Sequence, residues 1–332
     1  MAVNPLSASP IGLGLMGLTW RADQTPDEQA FAAMKAGIAN GATLWSTADF
    51  YGPPGGDPLS GVKLVSRYFK KYPEDASRVT LFVKGCTDPA TLYPTNSRAA
   101  TRTSVENVLK ALDGAKNIDI FGPSRSDPNT STKETFTELK DLVAEGKIRG
   151  VGLSEVGPET IQKAHAVVPL SLIEVEFSLW STEILTNGVG KTAKALGVPI
   201  VAYSPLGRGF LVGQFKKFED VPAGDIRLYL DRFKTENMDK NWELVDKLKA
   251  FADKKGVTLP QLALAWVVAN SNTDNVGTII PIPGATKASR VEENTKKVEL
   301  SADEKAQLDG ILDSVKIVGG RYNEQLEVTL WG

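Results

Sequence analysis

Three side chains with complementary acid–base chemistry follow two neighbouring apolar runs of the sequence. One run leads into Asp49, Phe50 and Tyr51, and the run VTLFVKG delivers Lys84. A free phenol has a pKa of about 10, so it gives up a proton reluctantly near neutral pH. A lysine ammonium at about 4 Å, with an effective dielectric constant of about 20, favours the phenolate by roughly 4 kcal/mol. We therefore expect Lys84 to lower the pKa of Tyr51 and Asp49 to hold Lys84 charged, so that Tyr51 acts as a general acid.

These residues also have a purely structural interpretation. Tyr51 would then be an aromatic that caps the core, and Lys84 would be an ordinary surface lysine. The chemical interpretation requires a fold that brings the ends of the two runs together.

The order of apolar and helical segments predicts such a fold. Short runs rich in β-branched and aliphatic residues alternate with longer helical patterns, which is typical of parallel strands joined by crossover helices. The predicted strands are 11–15, 42–48, 79–84, 118–121, 148–153, 171–177, 198–203 and 277–282. The predicted helices are 26–40, 58–71, 98–113, 131–145, 157–167, 188–196, a longer helical region over 239–269, and 287–296. Eight such units predict an α/β fold, a (β/α)8 TIM barrel, whose reacting groups lie at the C-terminal strand ends.

Two segments extend this minimal barrel. Residues 204–238 form a long glycine-containing connection, and loops of that length are usually functional or mobile. Residues 301–332 add an extra C-terminal helix, opened by Ser301 and Glu304, and an irregular tail. No linker divides the chain, so we expect residues 1–332 to form a single domain. The spelling GLGLMG near residue 12 matches a dinucleotide-binding pattern, but it opens no helix, which argues against a doubly wound sheet.

The composition excludes several classes of function. The 38 Lys and Arg residues face 40 Asp and Glu residues for a net charge of -2, so no basic excess is available for a nucleic acid. No apolar stretch reaches the roughly 20 residues that span a membrane, and the N-terminus lacks a signal-peptide pattern. A single cysteine, Cys86, and a single histidine, His165, exclude internal disulfides and metal sites rich in these residues. We expect a cytoplasmic protein with no metal, no nucleic-acid partner and no membrane partner.

Six motifs then occur in order with the spacing of a barrel. They are STADFYG, FVKG, IRGVGLSE, EVEFSLW, VAYSPLGRGFLVG and PIPGATKASRVEEN, and with them the chain resembles the aldo-keto reductases over about residues 10 to 300. The resemblance implies hydride transfer from a reduced nicotinamide to a carbonyl, with Tyr51 protonating the developing alkoxide and Lys84 and Asp49 supporting it. Within the family, GLGLMGLTWR and the tail GGRYNEQLEVTL are most similar to the fungal pyridoxal reductases. That similarity implies NADPH as cofactor, pyridoxal as the small-molecule aldehyde substrate, and a monomer.

The resemblance also implies a nicotinamide site at the ends of the later strands. Three residues correspond to the family's carboxamide-binding positions, where Glu155 and Glu174 replace the usual asparagine and glutamine and thereby put those contacts in doubt: Ser154, Glu155 and Glu174. Tyr203 corresponds to the aromatic residue that stacks on the nicotinamide. The loop over the pyrophosphate begins with Ser204, Leu206, Gly207 and Gly209.

The adenosine end of the cofactor is implied around the eighth helix. A helix start with two cations favours a 2′-phosphate, and so NADPH over NADH, at Thr286, Lys287 and Arg290. Glu293 and Asn294 match the pair that faces the adenine.

The chain departs from the family pattern at the fourth strand end. Most members have a histidine there, whereas this chain has Ser124 followed by Arg125. His165 cannot replace it, because it belongs to the fifth predicted helix and should face outward. Arg125, Ser124 or a water molecule must then supply the missing hydrogen bond to the substrate oxygen, or turnover is modest.

Aromatic residues are expected to line the substrate pocket, since flat walls suit a heteroaromatic aldehyde. The candidates are Trp20, Phe50 and Trp180, with core packing as the alternative for Trp20 and Trp180. Two other functions stay open at this point. One is a broad-specificity aldehyde reductase, and the other is a catalytically weak NADP(H)-sensing subunit that keeps the barrel and the nucleotide site.

Overall fold

A closed cylinder of parallel strands forms the centre of the computed structural model, which describes residues 3–4, 9–222 and 224–332. Within these residues, eight strands pair in sequence order, and each pair is parallel. The backbone of Gly12 and Gly14 donates to Pro281 O at 2.9 Å and to Pro283 O at 3.2 Å, which closes the cylinder. The strands are β1 Leu13–Gly14, β2 Leu44–Ala48, β3 Thr80–Gly85, β4 Ile118–Pro123, β5 Ile148–Ser154, β6 Leu170–Glu176, β7 Ile200–Tyr203 and β8 Ile279–Pro281. The predicted (β/α)8 barrel is confirmed.

Helices surround the strands and connect them. The described residues form α1 Met16–Thr19, α2 Asp27–Ala39, α3 Ser60–Lys71, α4 Arg98–Leu112, α5 Thr132–Ala144, α6 Pro158–Val167, α7 Val189–Ala195, α8 Thr235–Lys255, α9 Leu259–Ala269, α10 Ala288–Thr295, α11 Ala302–Asp313 and α12 Glu324–Glu327. The extra helix predicted after residue 301 is α11, and Ser301 and Glu304 form its capping box. None of the helices in the described part of the chain has the length and apolar character needed to cross a membrane.

The longer helical region predicted over 239–269 is two helices. Gly256 ends α8 in a left-handed conformation with φ of 74°, which a glycine adopts without steric cost. Thr258 then opens α9 with its own capping box, and Pro260 occupies the first turn. Gly256 and Thr258 therefore divide a segment whose pattern of apolar residues alone would predict one continuous helix.

Alternation along the strands divides the barrel interior into two layers. A lower layer is apolar and consists of Leu44, Phe82, Ile120, Leu172, Val201, Ile280 and Ile282. Two residues further along a strand, the side chain returns to the same face. The upper layer therefore receives Ser46 above Leu44, Lys84 above Phe82, and Glu174 above Leu172, at the C-terminal mouth of the barrel. A dry apolar floor beneath a ring of polar groups is the setting in which electrostatic interactions are strongest.

Phe82→Ala should destabilise the protein strongly, because it removes a fully buried ring from the floor beneath Lys84. We expect the free energy of unfolding to fall by about 3–5 kcal/mol, measured by urea denaturation. The control Val328→Ala shortens a side chain that is 78% exposed, and it should change stability by no more than about 0.5 kcal/mol. Equal effects of the two substitutions would contradict the layered core.

Candidate active site

A buried ion pair spans the interior of the barrel between two strands that are not neighbours. Lys84 of β3 is 4% exposed, and its Nζ lies 2.9 Å from Oε1 of Glu174 on β6. Lys84 also donates to Ser46 Oγ at 2.6 Å and to Thr47 O at 3.3 Å. Ser46 in turn donates to Glu174 Oε2 at 2.6 Å. Burial alone would lower the pKa of Lys84, but the charge of Glu174 raises it above its usual value, so Lys84 stays a cation.

The predicted ion pair between Lys84 and Asp49 is wrong in this structure. Asp49 accepts a hydrogen bond from Ser104 on α4, on the outer side of the strands. Its backbone N–H bonds to Lys84 O at 2.9 Å, and alternation from Ser46 turns its side chain away from the barrel interior. Burial raises the pKa of Asp49 to about 6, against the hydrogen bonds from Ser104 and the Cys86 N–H that favour the anion. The carboxylate paired with Lys84 is that of Glu174 rather than that of Asp49. Glu174 had been expected to bind the nicotinamide carboxamide.

Tyr51 lies at the mouth beside Lys84, as the strand ends predicted. Its backbone carbonyl accepts from Thr19 Oγ1 at 2.7 Å, and Lys84 Nζ lies 5.3 Å from the centre of its ring. Burial raises the pKa of the phenol, and the positive charge of Lys84 lowers it by less than burial raises it. The expected net lowering of the Tyr51 pKa is therefore wrong: the phenol is fully protonated at neutral pH. A protonated phenol next to a fixed cation can donate its proton and have the resulting anion stabilised.

Two of the three predicted pocket aromatics lie against this phenol. Trp20 stacks on Tyr51 with ring centres 5.2 Å apart, and Phe50 meets Tyr51 edge to face at 5.0 Å. Trp180 does not join them. It is 4% exposed and stacks on Phe210 at 4.6 Å. Trp180 thus packs as its core alternative predicts, but its Nε1 has no hydrogen-bond partner among the described residues, and its pocket role stays a prediction.

Ser124 and Arg125 directly follow β4, at the position where a histidine was expected from the family pattern. Ser124 is buried and its Oγ is hydrogen-bonded to Thr87 Oγ1. Arg125 is half-buried and donates to Ser124 O at 2.6 Å and to the hydroxyl of Tyr322 at 3.1 Å. Either hydroxyl can be the donor in the Ser124–Thr87 bond, whereas Arg125 keeps N–H donors that its two acceptors do not use. His165 accepts from the Leu170 N–H at the start of β6, which is the end of the barrel away from the mouth.

The C-terminal tail enters the mouth and contributes residues that no sequence motif indicated. Arg321 is buried and donates to Glu155 Oε2 at 2.7 Å and to Oε1 at 3.1 Å. The Trp331 N–H bonds to Glu155 O at 2.9 Å. Arg321 also lies 3.5 Å from Glu176 Oε2. The carboxamide contact expected from Glu155 is thus replaced by an ion pair, because both its oxygens are bound by the tail.

Tyr322, the next tail residue, joins three elements through one hydroxyl group. This hydroxyl accepts from Arg208 at 2.8 Å and from Arg125 at 3.1 Å, and it lies 3.0 Å from the hydroxyl of Tyr203 at the end of β7. The signal that could have revealed the tail is the pair of buried glutamates at the ends of β5 and β6, which require cations that the strands do not supply.

The residues at the mouth fit a nicotinamide. Ser154 at the end of β5 is buried, and its Oγ has no hydrogen-bond partner among the described residues. A buried hydroxyl without a partner is costly unless a ligand group such as a carboxamide completes it. Tyr203 at the end of β7 is half-buried and offers a ring face.

The remaining residues predicted to bind the cofactor lie in the loop after β7 and around α10. Beyond Ser204 and Leu206, Gly207 and Gly209 have φ of 57° and 95°, conformations that glycine adopts most readily. Lys287 precedes α10 and is exposed, and Thr286 O accepts from Gln29 Nε2 at 2.7 Å. Along α10, Arg290 is paired with Glu293 at 2.6 Å and Asn294 is buried. No group of His, Cys, Asp and Glu side chains able to hold a metal ion occurs within residues 3–4, 9–222 and 224–332.

Known proteins resemble this chain over nearly its full length. The model of the Aldo/keto reductase family matches residues 10–313. Two fungal proteins provisionally named as pyridoxal reductases are similar to it. The protein from Schizosaccharomyces pombe is 40% identical, and the alignment covers 99% of this chain and 98% of that protein. The protein from Saccharomyces cerevisiae is 39% identical, and the alignment covers 96% of this chain and 97% of that protein. The solved structure of a glycerol dehydrogenase from Gluconobacter oxydans superposes with a TM-score of 0.77 at 24% identity, covering 94% of this chain and 93% of its own, which supports the barrel fold.

Glu174→Gln should destabilise the protein, because it keeps the shape of the side chain but leaves Lys84 without its counter-charge. Breaking a buried ion pair costs about 3–5 kcal/mol, and we expect a loss of that size in urea denaturation. The control Glu159→Gln removes a solvent-exposed pair with Lys163 and should cost less than about 0.5 kcal/mol. A loss no larger than that of the control would contradict a buried pair.

Asp49→Asn should stabilise the protein in a pH-dependent way. The carboxyl titrates near 3.8 when unfolded and at about 6 when folded, so the folded chain binds more protons and its stability falls as the pH rises through that window. Asparagine mimics the protonated form. The free energy of unfolding of the variant should equal that of the wild type below about pH 4 and exceed it by about 1–3 kcal/mol above about pH 6. The lower end of this range allows for the remaining solvent contact of Asp49.

Thermal unfolding of the two proteins across this pH range measures the gap. The exposed Asp246→Asn on α8 is the matched control. A gap between wild type and Asp49→Asn that does not widen with pH would refute a buried carboxyl with a raised pKa.

Proposed function

The chain belongs to the aldo/keto reductase family, and from that membership we propose that it reduces an aldehyde to an alcohol with NADPH, with pyridoxal as substrate and pyridoxine as product. The observation that carries the chemistry is the Lys84–Glu174 pair beneath the protonated phenol of Tyr51. The two relatives provisionally named as pyridoxal reductases support the choice of substrate.

The residues of this chain act on the carbonyl oxygen. When bound, NADPH supplies a hydride to the carbonyl carbon. Tyr51 donates its proton to the oxygen as negative charge develops there, so that the aldehyde becomes an alcohol. Lys84 stabilises the phenolate that remains on Tyr51, and Glu174 keeps Lys84 charged throughout.

The cofactor is held, in this proposal, across the mouth from β5 to α10. The unpartnered hydroxyl of Ser154 binds the carboxamide, and Tyr203 stacks on the nicotinamide ring. The exposed cation of Lys287 at the start of α10 binds the 2′-phosphate, which favours NADPH over NADH.

The aromatic wall supports a flat substrate. Trp20 and Phe50 both contact the ring of Tyr51, so an aromatic aldehyde can lie against them with its carbonyl next to the phenol. Either hydroxyl can donate in the Ser124–Thr87 bond, so Ser124, Arg125 and a water molecule all remain candidates for the donor that replaces the histidine.

Tyr51→Phe tests the proposed general acid. We expect kcat for pyridoxal with NADPH to fall by about 10²- to 10⁴-fold, because the variant lacks the donated proton. NADPH binding, measured by fluorescence titration, should stay within about two-fold. The control Tyr72→Phe removes a hydroxyl next to α3, outside the mouth, and should leave kcat unchanged.

The same assay decides between the alternatives. A kcat/KM for pyridoxal no higher than that for benzaldehyde would favour a broad-specificity reductase. Equal rates with NADH and NADPH would overturn the cofactor assignment. NADPH binding without turnover of any aldehyde would favour a sensing subunit.

A further inference from the structure

Arg125 is a half-buried cation without an ionic partner. Among the described residues, no carboxylate lies within ion-pairing distance of its guanidinium, whereas Arg321 is paired with Glu155 at 2.7 Å and Arg208 with Glu176 at 3.4 Å. Cations removed from water normally sit next to an anion, because desolvation is costly. The described residues thus leave one guanidinium at the mouth without a carboxylate in direct contact, and the charge of Glu155 reaches it only from beyond ion-pairing distance.

Arg125 also has hydrogen-bond donors to spare. A guanidinium carries five N–H donors. In the described part of the chain it uses two acceptors, Ser124 O at 2.6 Å and the hydroxyl of Tyr322 at 3.1 Å. The remaining donors have the planar arrangement that binds an anionic oxygen.

The position of Arg125 places these donors near the reacting groups. Arg125 follows β4, which pairs with β3, the strand that carries Lys84. The Ser124 N–H bonds to Gly85 O at 3.0 Å, and Arg125 itself donates to the Tyr322 hydroxyl at 3.1 Å. Tyr322 is itself held by Arg208 at 2.8 Å. The guanidinium of Arg125 is thereby fixed at the rim of the site that contains Tyr51.

We propose that Arg125 is a specificity-determining residue that binds an anionic oxygen, a phenolate or a carboxylate, on the aldehyde substrate. This inference rests on the proposed function, because it concerns the substrate of the same site. Pyridoxal meets the requirement, since it carries an acidic ring hydroxyl beside its aldehyde. The tail residue Tyr322 is a positioning residue that orients Arg125.

A phosphate of the cofactor is the other source of such an anion, and the topology argues against the 2′-phosphate. Arg125 follows β4, whereas the cations predicted to bind phosphate, Lys287 and Arg290, follow β8. In a closed barrel of eight strands in sequence order, β4 and β8 lie on opposite sides. The pyrophosphate loop after β7 lies closer, since its Arg208 donates to the same Tyr322 hydroxyl at 2.8 Å. The Kd for NADPH therefore separates a cofactor anion from a substrate anion in the test below.

Steady-state kinetics with charged and neutral aldehydes tests the proposal. The probes are the three carboxybenzaldehyde isomers against benzaldehyde, each with NADPH. We expect the wild type to prefer at least one carboxylate isomer, and Arg125→Gln to reduce that preference, as a ratio of kcat/KM values, by about 10- to 100-fold, mainly through KM. Arg125→Lys should recover part of the preference, and Tyr322→Phe should lose part of it.

A matched arginine provides the control. Arg149 begins β5 at the far end of the barrel and pairs with Asp119 at 3.1 Å. Arg149→Gln should leave the preference for the charged isomer as it is in the wild type. If Arg125→Gln fails to fold, Tyr322→Phe carries the test, since it keeps the ring and removes only the hydroxyl.

Several results would overturn the proposal. An equal loss on charged and neutral aldehydes would place Arg125 on the carbonyl oxygen of every substrate. A weaker Kd for NADPH with an unchanged preference would assign the anion to the cofactor. A wild type with no preference for any carboxylate isomer would remove the subsite.

An equilibrium measurement separates this inference from the proposed function. Isothermal titration gives the Kd of 4-(hydroxymethyl)benzoate and of benzyl alcohol in the presence of NADP⁺. Tighter binding of the benzoate by the wild type, lost in Arg125→Gln, would support the subsite even if no aldehyde is turned over. Equal binding of the two alcohols would reject it even if the enzyme reduces aldehydes well.

Discussion

The contact between Lys84 and Glu174 across the barrel interior is the interaction on which the site depends. Two opposite charges taken out of water cost several kcal/mol each, and only close geometry with additional hydrogen bonds offsets that cost. Here the ammonium and the carboxylate are 2.9 Å apart, and Ser46 bonds to both. The apolar layer below keeps water out, so the charge of Lys84 acts on Tyr51 in a medium of low dielectric constant.

The barrel could be predicted closely from the sequence, because the periods of a helix and of a strand are set by residues near one another in the chain. Seven of the predicted helices end within two residues of those observed, since Pro, Ser and Gly at their ends determine the boundaries. The region 239–269 was not divided in advance, although Gly256 and Thr258 carry the signal for a break. Short strands such as Leu13–Gly14 depend on pairing with a neighbour, which no local pattern specifies.

The site could be predicted only in part, because charge partners are chosen by the fold. Tyr51 and Lys84 stand at strand ends, and their position follows from the order of strands. The partner of Lys84 comes from β6, three strands away around the barrel. Asp49 faces outward because one residue of alternation reverses its side chain. A resemblance to a family transfers positions well, but it does not reveal that Glu155, which replaces asparagine, is bound by Arg321 of the tail.

The position of the tail in the chain affects the order in which the protein folds during its synthesis. A ribosome delivers the N-terminal strands first, and domains generally begin to fold in that order. Arg321, Tyr322 and Trp331 are synthesised after all eight strands, yet they hold the ends of β5 and β7 and the guanidinium after β4. The cylinder can therefore close before these residues emerge from the ribosome, but its mouth is finished only once they have emerged.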